Sequence, residues 1–367
     1  MKVEVLQERL AKALNIVSHV AASTKAGLPI LSNVLLRADD KQLVLTATNL
    51  ELATVEYVNA KASKNGTITV PAKLLSSFIS NLPKETIKLS SEGDKLTIEA
   101  GGYKSIMNGI AADDFPELPS IDDKKAVTFK IPVDLFKEAV NQVIIASSND
   151  MTRPALTGVF LNTFEGTLYI AATDGYRLAD KKFVENVKSE IKAIVPTAAF
   201  REVLSSLSDD MEDVEVSVVD TLIRFRMGEV EIISKLIDAS FPDYRQLIPK
   251  KNSLSVELDK AELLRMTKVA ALFAQESNGS IVCEAKKDDG SFSVSAVASE
   301  VGENSSAMKA DISEDAKVTL NSRYLLDALN ATTEDKVIFE ISGKLSPVVV
   351  KNIKTDDYTH IIMPLKS

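Results

Sequence analysis

The sequence predicts an α+β protein made of three tandem copies of one unit, each with two helices packed on antiparallel sheet. Landmarks recurring at one step of 125 residues predict the copies. Leu45-Thr46-Ala47-Thr48-Asn49 aligns at that step with Leu168-Tyr169-Ile170 running into Ala172-Thr173-Asp174, and a further step reaches Ser293-Val294-Ser295-Ala296-Val297-Ala298. Val70-Pro71-Ala72, Val195-Pro196-Thr197 and Leu320-Asn321-Ser322 each open an apolar helical pattern at the same spacing. Leu28-Pro29-Ile30-Leu31 matches Arg153-Pro154-Ala155-Leu156. A period this long means duplicated domains rather than the short repeats of a solenoid.

The first copy opens with a strand over 3–6. Leu10, Ala13, Leu14 and Val17 then share one face at helical spacing. Alternating patterns predict strands over 33–36, 43–48, 52–58 and 66–70. Pro71 suits a helix start, and Leu74, Leu75, Phe78, Ile79 and Leu82 carry the helix until Pro83 stops it. Strands over 87–90, 96–100 and 103–108 complete the copy. The second copy repeats the order with helices near 132–145 and 196–207, and the third with helices near 259–273 and 321–331.

Ile121-Asp122-Asp123-Lys124-Lys125 and Pro249-Lys250-Lys251-Asn252 are polar enough to be linkers. The domains are therefore expected at 1–124, 125–252 and 253–367. In the second copy, Ala172-Thr173-Asp174-Gly175-Tyr176-Arg177-Leu178 is the most particular turn, because Asp-Gly supplies the positive φ a tight turn needs. By itself this reads as a hairpin.

With 45% apolar and 26% charged residues the chain can build packed cores. A single cysteine, Cys283, excludes an internal disulfide framework, and His19 and His360, the only histidines, form no metal-spaced cluster. Neither histidine sits in a nucleophile-elbow context, and there is no glycine-rich phosphate loop, so no catalytic function and no cofactor are expected. Acidic residues near Met1 argue against a signal peptide, and no stretch is apolar enough to span a bilayer. A cytoplasmic protein with no membrane partner is expected.

A net charge of −9 argues against nucleic-acid binding over the whole surface, yet the helical stretches together are slightly positive. Either these are ordinary solvated faces, or the helices face a polyanion while acidic strands and loops face away. Tandem units joined by one repeated contact leave complementary free faces at the two chain ends. Such a chain grows a filament or closes a ring, and a ring holds a duplex by topology.

These residues resemble the bacterial β sliding clamp family, the β subunit of DNA polymerase III. The resemblance covers all three copies and is carried by Leu28-Pro29-Ile30-Leu31, the 172–178 turn, Ser234-Lys235-Leu236, Phe241-Pro242-Asp243-Tyr244-Arg245 and Met363-Pro364-Leu365. It implies a ring-forming head-to-tail homodimer, with helices inside and sheets outside, that encircles duplex DNA and has no catalytic activity. It also implies that the replicative polymerase and the clamp loader bind through short linear peptides.

Carried over residue by residue, the resemblance implies a peptide groove of Leu156, Thr173, Gly175, Tyr176, Arg177, Leu178, Pro242, Gln246, Leu247, Asn321, Tyr324, Leu345, Ser346, Ile362, Met363, Pro364 and Leu365. Its apolar members would pocket a partner's leucine and phenylalanine while Arg177 and Asn321 orient the peptide. Gln246 departs from the basic residue expected there, which removes a charge contact to an acidic peptide. DNA contacts are implied for Lys25, Asn149 and Arg153. The implied dimer contact pairs Tyr103, Ile106 and Met107 on an edge strand with Leu272 and Phe273. A three-domain peptide-binding scaffold that never encircles DNA is the competing reading of the residues.

Overall fold

In the computed structural model, which describes residues 1–22, 28–249, 254–299 and 302–365, helices form where apolar spacing puts them. They are α1 (Gln7–Ala22), α2 (Ala72–Ser80), α3 (Val133–Ile144), α4 (Thr197–Ser206), α5 (Lys260–Phe273) and α6 (Ser322–Ala331). α2 starts directly after Pro71 and ends at Ser80. Leu82, expected on the helix, lies beyond it but is still buried. Side chains cap the last two helices: Asp259 accepts from the Glu262 amide at 2.8 Å, and Asn321 accepts from Arg323 and Tyr324.

The strands build four antiparallel sheets among the described residues. One eight-stranded sheet runs in the order Val127–Pro132, Asp213–Val219, Leu222–Met227, Val230–Lys235, Leu52–Asn59, Gln42–Thr48, Asn33–Asp39, Gly66–Pro71. The other runs Lys192–Pro196, Gly158–Phe164, Thr167–Thr173, Arg177–Val184, Tyr358–Ile362, Val348–Asn352, Lys336–Ile341, Leu254–Asp259. Each joins strands of two sequence copies edge to edge, with Glu56 opposite Val230 in the first and Arg177 opposite Ile362 in the second.

The five-stranded sheet is Lys61–Lys64, Lys2–Leu6, Thr86–Glu92, Lys95–Ala100, Tyr103–Asn108, and its two edges differ. Lys61 and Lys64 blunt one edge with charge, the usual protection against stray pairing. The other edge exposes Tyr103 and Ile106, each 59% accessible. The four-stranded sheet, Gly302–Lys309, Ser291–Ala298, Ser280–Lys286, Ala316–Asn321, leaves Gly302–Lys309 at its edge.

The chain gathers into two compact units, Met1–Phe136 with Ala198–Leu236, and Lys137–Thr197 with Ile237–Ser367. Compactness follows the sheets, so the middle sequence copy is shared out between the units. In the first unit, Phe136, Phe200 and Phe225 meet at ring-centroid distances of 5.5 to 6.0 Å. In the second, Leu263 and Met266 of α5 and Leu325 and Leu329 of α6 pack with sheet residues that include Phe292 and Phe339. The linker residues Lys250, Lys251 and Asn252, and with them the boundary expected at 252, lie outside the described residues.

Two carboxyls of the first unit are held in the interior. Burial pushes Glu56 and Glu202 each up to about 7. Their folded pKa values exceed the unfolded ones, so the folded state binds protons that the unfolded state has released. Their contribution to stability therefore falls as pH rises from about 4.5 to 7 and is level above that. Glu202→Gln is expected to raise the melting temperature relative to wild type at pH 8 and by much less at pH 5. A difference that does not change with pH would sink this account.

Candidate functional site

The 172–178 turn is fixed by its own short polar side chains. The Thr173 hydroxyl donates to the Arg177 carbonyl at 2.6 Å and accepts from the Gly175 amide at 3.0 Å. Asp174 accepts from the amides of Tyr176 and Arg177 at 2.9 and 3.0 Å. This is an Asx arrangement that closes the turn without help from the rest of the fold. Gly175 has φ +92°, and a Cβ there would stand 3.4 Å from Arg153 Nη1. Tyr176 is 59% exposed, and its carbonyl accepts from the Met363 amide at 2.8 Å.

Around this turn three other segments of the same unit converge. The tail after Ile362 is held by the Met363 bond and by the Leu365 amide donating to the Thr319 carbonyl at 2.8 Å. It leaves Met363, Pro364 and Leu365 half-buried. At the start of α6, Tyr324 lies under the Arg177 guanidinium, 4.5 Å from ring centroid to Cζ. Leu345, 71% exposed, stands on a turn closed by the Ser346 amide donating to the Gly343 carbonyl.

The segment Phe241-Pro242-Asp243-Tyr244-Arg245 is clamped by its aromatic and charged residues. Phe241 stacks on Phe160 at 4.7 Å, and Arg245 lies over Phe164 and Tyr169 at 4.3 and 4.0 Å. The Tyr244 hydroxyl donates to buried Asp180 at 2.8 Å. Burial pushes Asp180 up to about 6, against the opposing pull of that bond and of Arg245. So anchored, the segment presents Pro242, Gln246 and Leu247 to the outside.

Every residue expected in the peptide groove thus lies in the second unit, but their parts differ. Leu156, Thr173, Leu178 and Ile362 are buried, whereas Tyr176, Leu247 and Leu345 offer exposed apolar surface. Arg177 and Asn321, expected to orient a peptide, are also tied into the fold. Arg177 Nε pairs with Asp174 at 3.1 Å and Nη1 with Asp327 at 2.5 Å, in a side chain only 7% exposed. Asn321 caps α6 through its oxygen and donates its amide to the Asn278 carbonyl at 3.1 Å. Gln246 donates to Asp243 at 2.6 Å, so this stretch of rim carries no cation.

The sequence reading missed Asp174, Asp180, Tyr244, Arg245 and Asp327 as supports. The signal for Tyr244 and Arg245 was available in their own motif. Among the residues expected on DNA, Lys25 lies outside the described residues. Asn149 and Arg153 are exposed on one loop, where Asp150 stands 3.6 Å from Arg153 and offsets its charge. Among the expected dimer residues, Tyr103, Ile106 and Leu272 are exposed and Phe273 packs partly against the core of its unit. Met107 is 5% exposed and points inward, so only its backbone is free to face a neighbour.

Three family models match the chain in succession. They describe the DNA polymerase III beta subunit, with its N-terminal domain matching residues 1–119, its central domain 130–243 and its C-terminal domain 245–366. A beta sliding clamp of Synechococcus elongatus is 30% identical over 376 residues, covering 100% of this chain and 99% of that protein. The crystal structure of DNA polymerase III subunit beta from Pseudomonas aeruginosa superposes with a TM-score of 0.93 at 28% identity, covering 100% of both chains. A sliding clamp from Bartonella birtlesii bound to griselimycin superposes with a TM-score of 0.92 at 27% identity, also covering 100% of both.

Proposed function

The chain belongs to the DNA polymerase III beta subunit family and is a DNA sliding clamp, a processivity factor without catalytic activity; from that premise we propose how it holds DNA and its partners. Two copies join head to tail into a ring around duplex DNA. The clamp domains are the three sequence copies 1–124, 125–252 and 253–367. The observation that carries the ring is the unprotected edge strand Tyr103–Asn108, whose exposed Tyr103 and Ile106 contrast with the lysine-blunted opposite edge of the same sheet. An open apolar edge invites a strand from another chain. Gly302–Lys309, also at a sheet edge and in the unit that exposes Leu272, supplies it.

The groove around Gly175, Tyr176 and Met363 takes short linear peptides of the replicative polymerase and of the clamp loader. A griselimycin complex of a relative with the same fold supports a ligand-binding surface in this family. Asn149 and Arg153 make weak phosphate contacts, as does Lys25. Work on replicating DNA puts the protein in the cytoplasm, and no helix among the described residues is long and apolar enough to cross a membrane.

Topological holding and surface binding part company on linear DNA. Protein loaded onto nicked circular DNA is expected to stay bound through gel filtration and to leave once the circle is cut, because a ring slides off free ends. Salt should weaken only the direct phosphate contacts. Equal retention on circular and linear DNA would mean that the chain binds the surface of the duplex and does not encircle it.

A further inference from the structure

The hydrogen bonds that close the 172–178 turn occur a second time, in the first unit. The Thr48 hydroxyl donates to the Leu52 carbonyl at 2.9 Å and accepts from the Leu50 amide at 3.1 Å. Asn49 accepts from the amides of Glu51 and Leu52 at 3.1 and 2.8 Å, as Asp174 does from Tyr176 and Arg177. The correspondence extends to the neighbouring strand: the Lys235 amide donates to the Glu51 carbonyl at 2.9 Å, where the Met363 amide donates to the Tyr176 carbonyl at 2.8 Å. Phe115-Pro116 follows this turn in the chain much as Phe241-Pro242 follows the other.

The two turns differ at their third position. Gly175 has φ +92° and no side chain, whereas Leu50 is a leucine at φ +76°. A left-handed backbone is unfavourable for leucine and persists only where surrounding bonds over-determine it, as the four side-chain bonds and the strand contact do here. Leu50 is 41% exposed, so more than half of it is covered by its own unit. Arg153, beside the second turn, has Leu28 as its counterpart in the sequence, a step of 125 residues earlier.

We infer that the turn at Leu50 is a second copy of the peptide groove, closed by its own leucine, and that Gly175 is the specificity-determining position that leaves the other copy open. Leu50 takes the place that a partner's leucine takes beside Gly175. Each chain therefore accepts one peptide although it contains the supporting turn twice. This inference rests on the groove proposed above.

The first unit also shows how to test it, because its turn carries leucine at the third position with the corresponding hydrogen bonds in place. The probe is a fluorescein-labelled peptide carrying adjacent leucine and phenylalanine, titrated by anisotropy against wild type, Gly175→Leu and Gly175→Ala. Wild type should bind one peptide per chain. Gly175→Leu should lose at least 50-fold in affinity with circular dichroism and dimer mass unchanged. Gly175→Ala imposes the same left-handed strain but adds a single carbon that meets only the movable end of Arg153, so it should lose at least 10-fold less affinity than Gly175→Leu. Wild-type-like binding by Gly175→Leu would overturn the inference and leave the groove standing. Equal losses in both variants would assign the effect to backbone strain and overturn it too, as would two peptides per wild-type chain. No binding by wild type would overturn the groove itself, and the inference with it.

Discussion

Leu272→Asp is expected to convert the dimer into monomers at micromolar concentration. Leu272 is 65% exposed at the end of α5, so the substitution costs the isolated chain almost nothing. In the proposed ring it would bury a carboxylate without a partner, which costs about 3–5 kcal/mol when one side of a buried contact is lost. Every 1.4 kcal/mol is a factor of about ten, so the dissociation constant should rise at least a hundredfold. Ile106→Asp, on the edge strand assigned to the other side of the contact, should act in the same direction. Light scattering reads the mass directly, and a Leu272→Asp protein that remains dimeric would remove this residue from the interface. Phe273 is a poorer choice for the same test, because it also packs against the core of its own unit and its loss would mix folding with assembly.

How far the sequence predicted this structure depends on the range of the forces involved. Helices announced themselves through apolar spacing, and the turn at Gly175 through Thr173, Asp174 and a glycine, because those interactions lie within a few residues of each other. The strand Lys61–Lys64 carried no such pattern, since an edge strand facing water has no apolar face to alternate. Nor does any local pattern say that Leu52–Asn59 pairs with Val230–Lys235, a contact between residues more than 170 positions apart. That pairing decides which strands form a compact unit, so the sequence copies and the compact units do not coincide.

The site divides along the same line. Gly175, Tyr176 and Met363 stand in motifs that the family resemblance singles out, and their own pattern says only that the chain turns there. What Arg177 does was not readable, because its partner Asp327 lies 150 residues away and takes up its guanidinium inside the unit. A motif identifies the residue and leaves open whether it faces a ligand or a neighbour. Met107 teaches the same lesson on the edge strand, where alternation turns it inward while Ile106 beside it faces out.

Removing residues 363–367 is expected to abolish peptide binding while the fold and the dimer survive. The cut falls just after the strand Tyr358–Ile362, so the pairing of Ile362 with Arg177 and Val348 is untouched. What goes is the Met363 bond to Tyr176, the Leu365 bond to Thr319 and the half-buried side chains between them. Two net backbone hydrogen bonds are worth about 1–3 kcal/mol, which a domain of this size withstands. The groove, by contrast, loses a whole wall. Burying a leucine and a phenylalanine gains about 3–6 kcal/mol before ordering costs, so a micromolar complex has no reserve against losing half of that surface. A titration of a labelled polymerase-tail peptide against full-length and shortened protein decides the matter. Equal affinities would place the peptide site away from Met363 and the turn at Gly175.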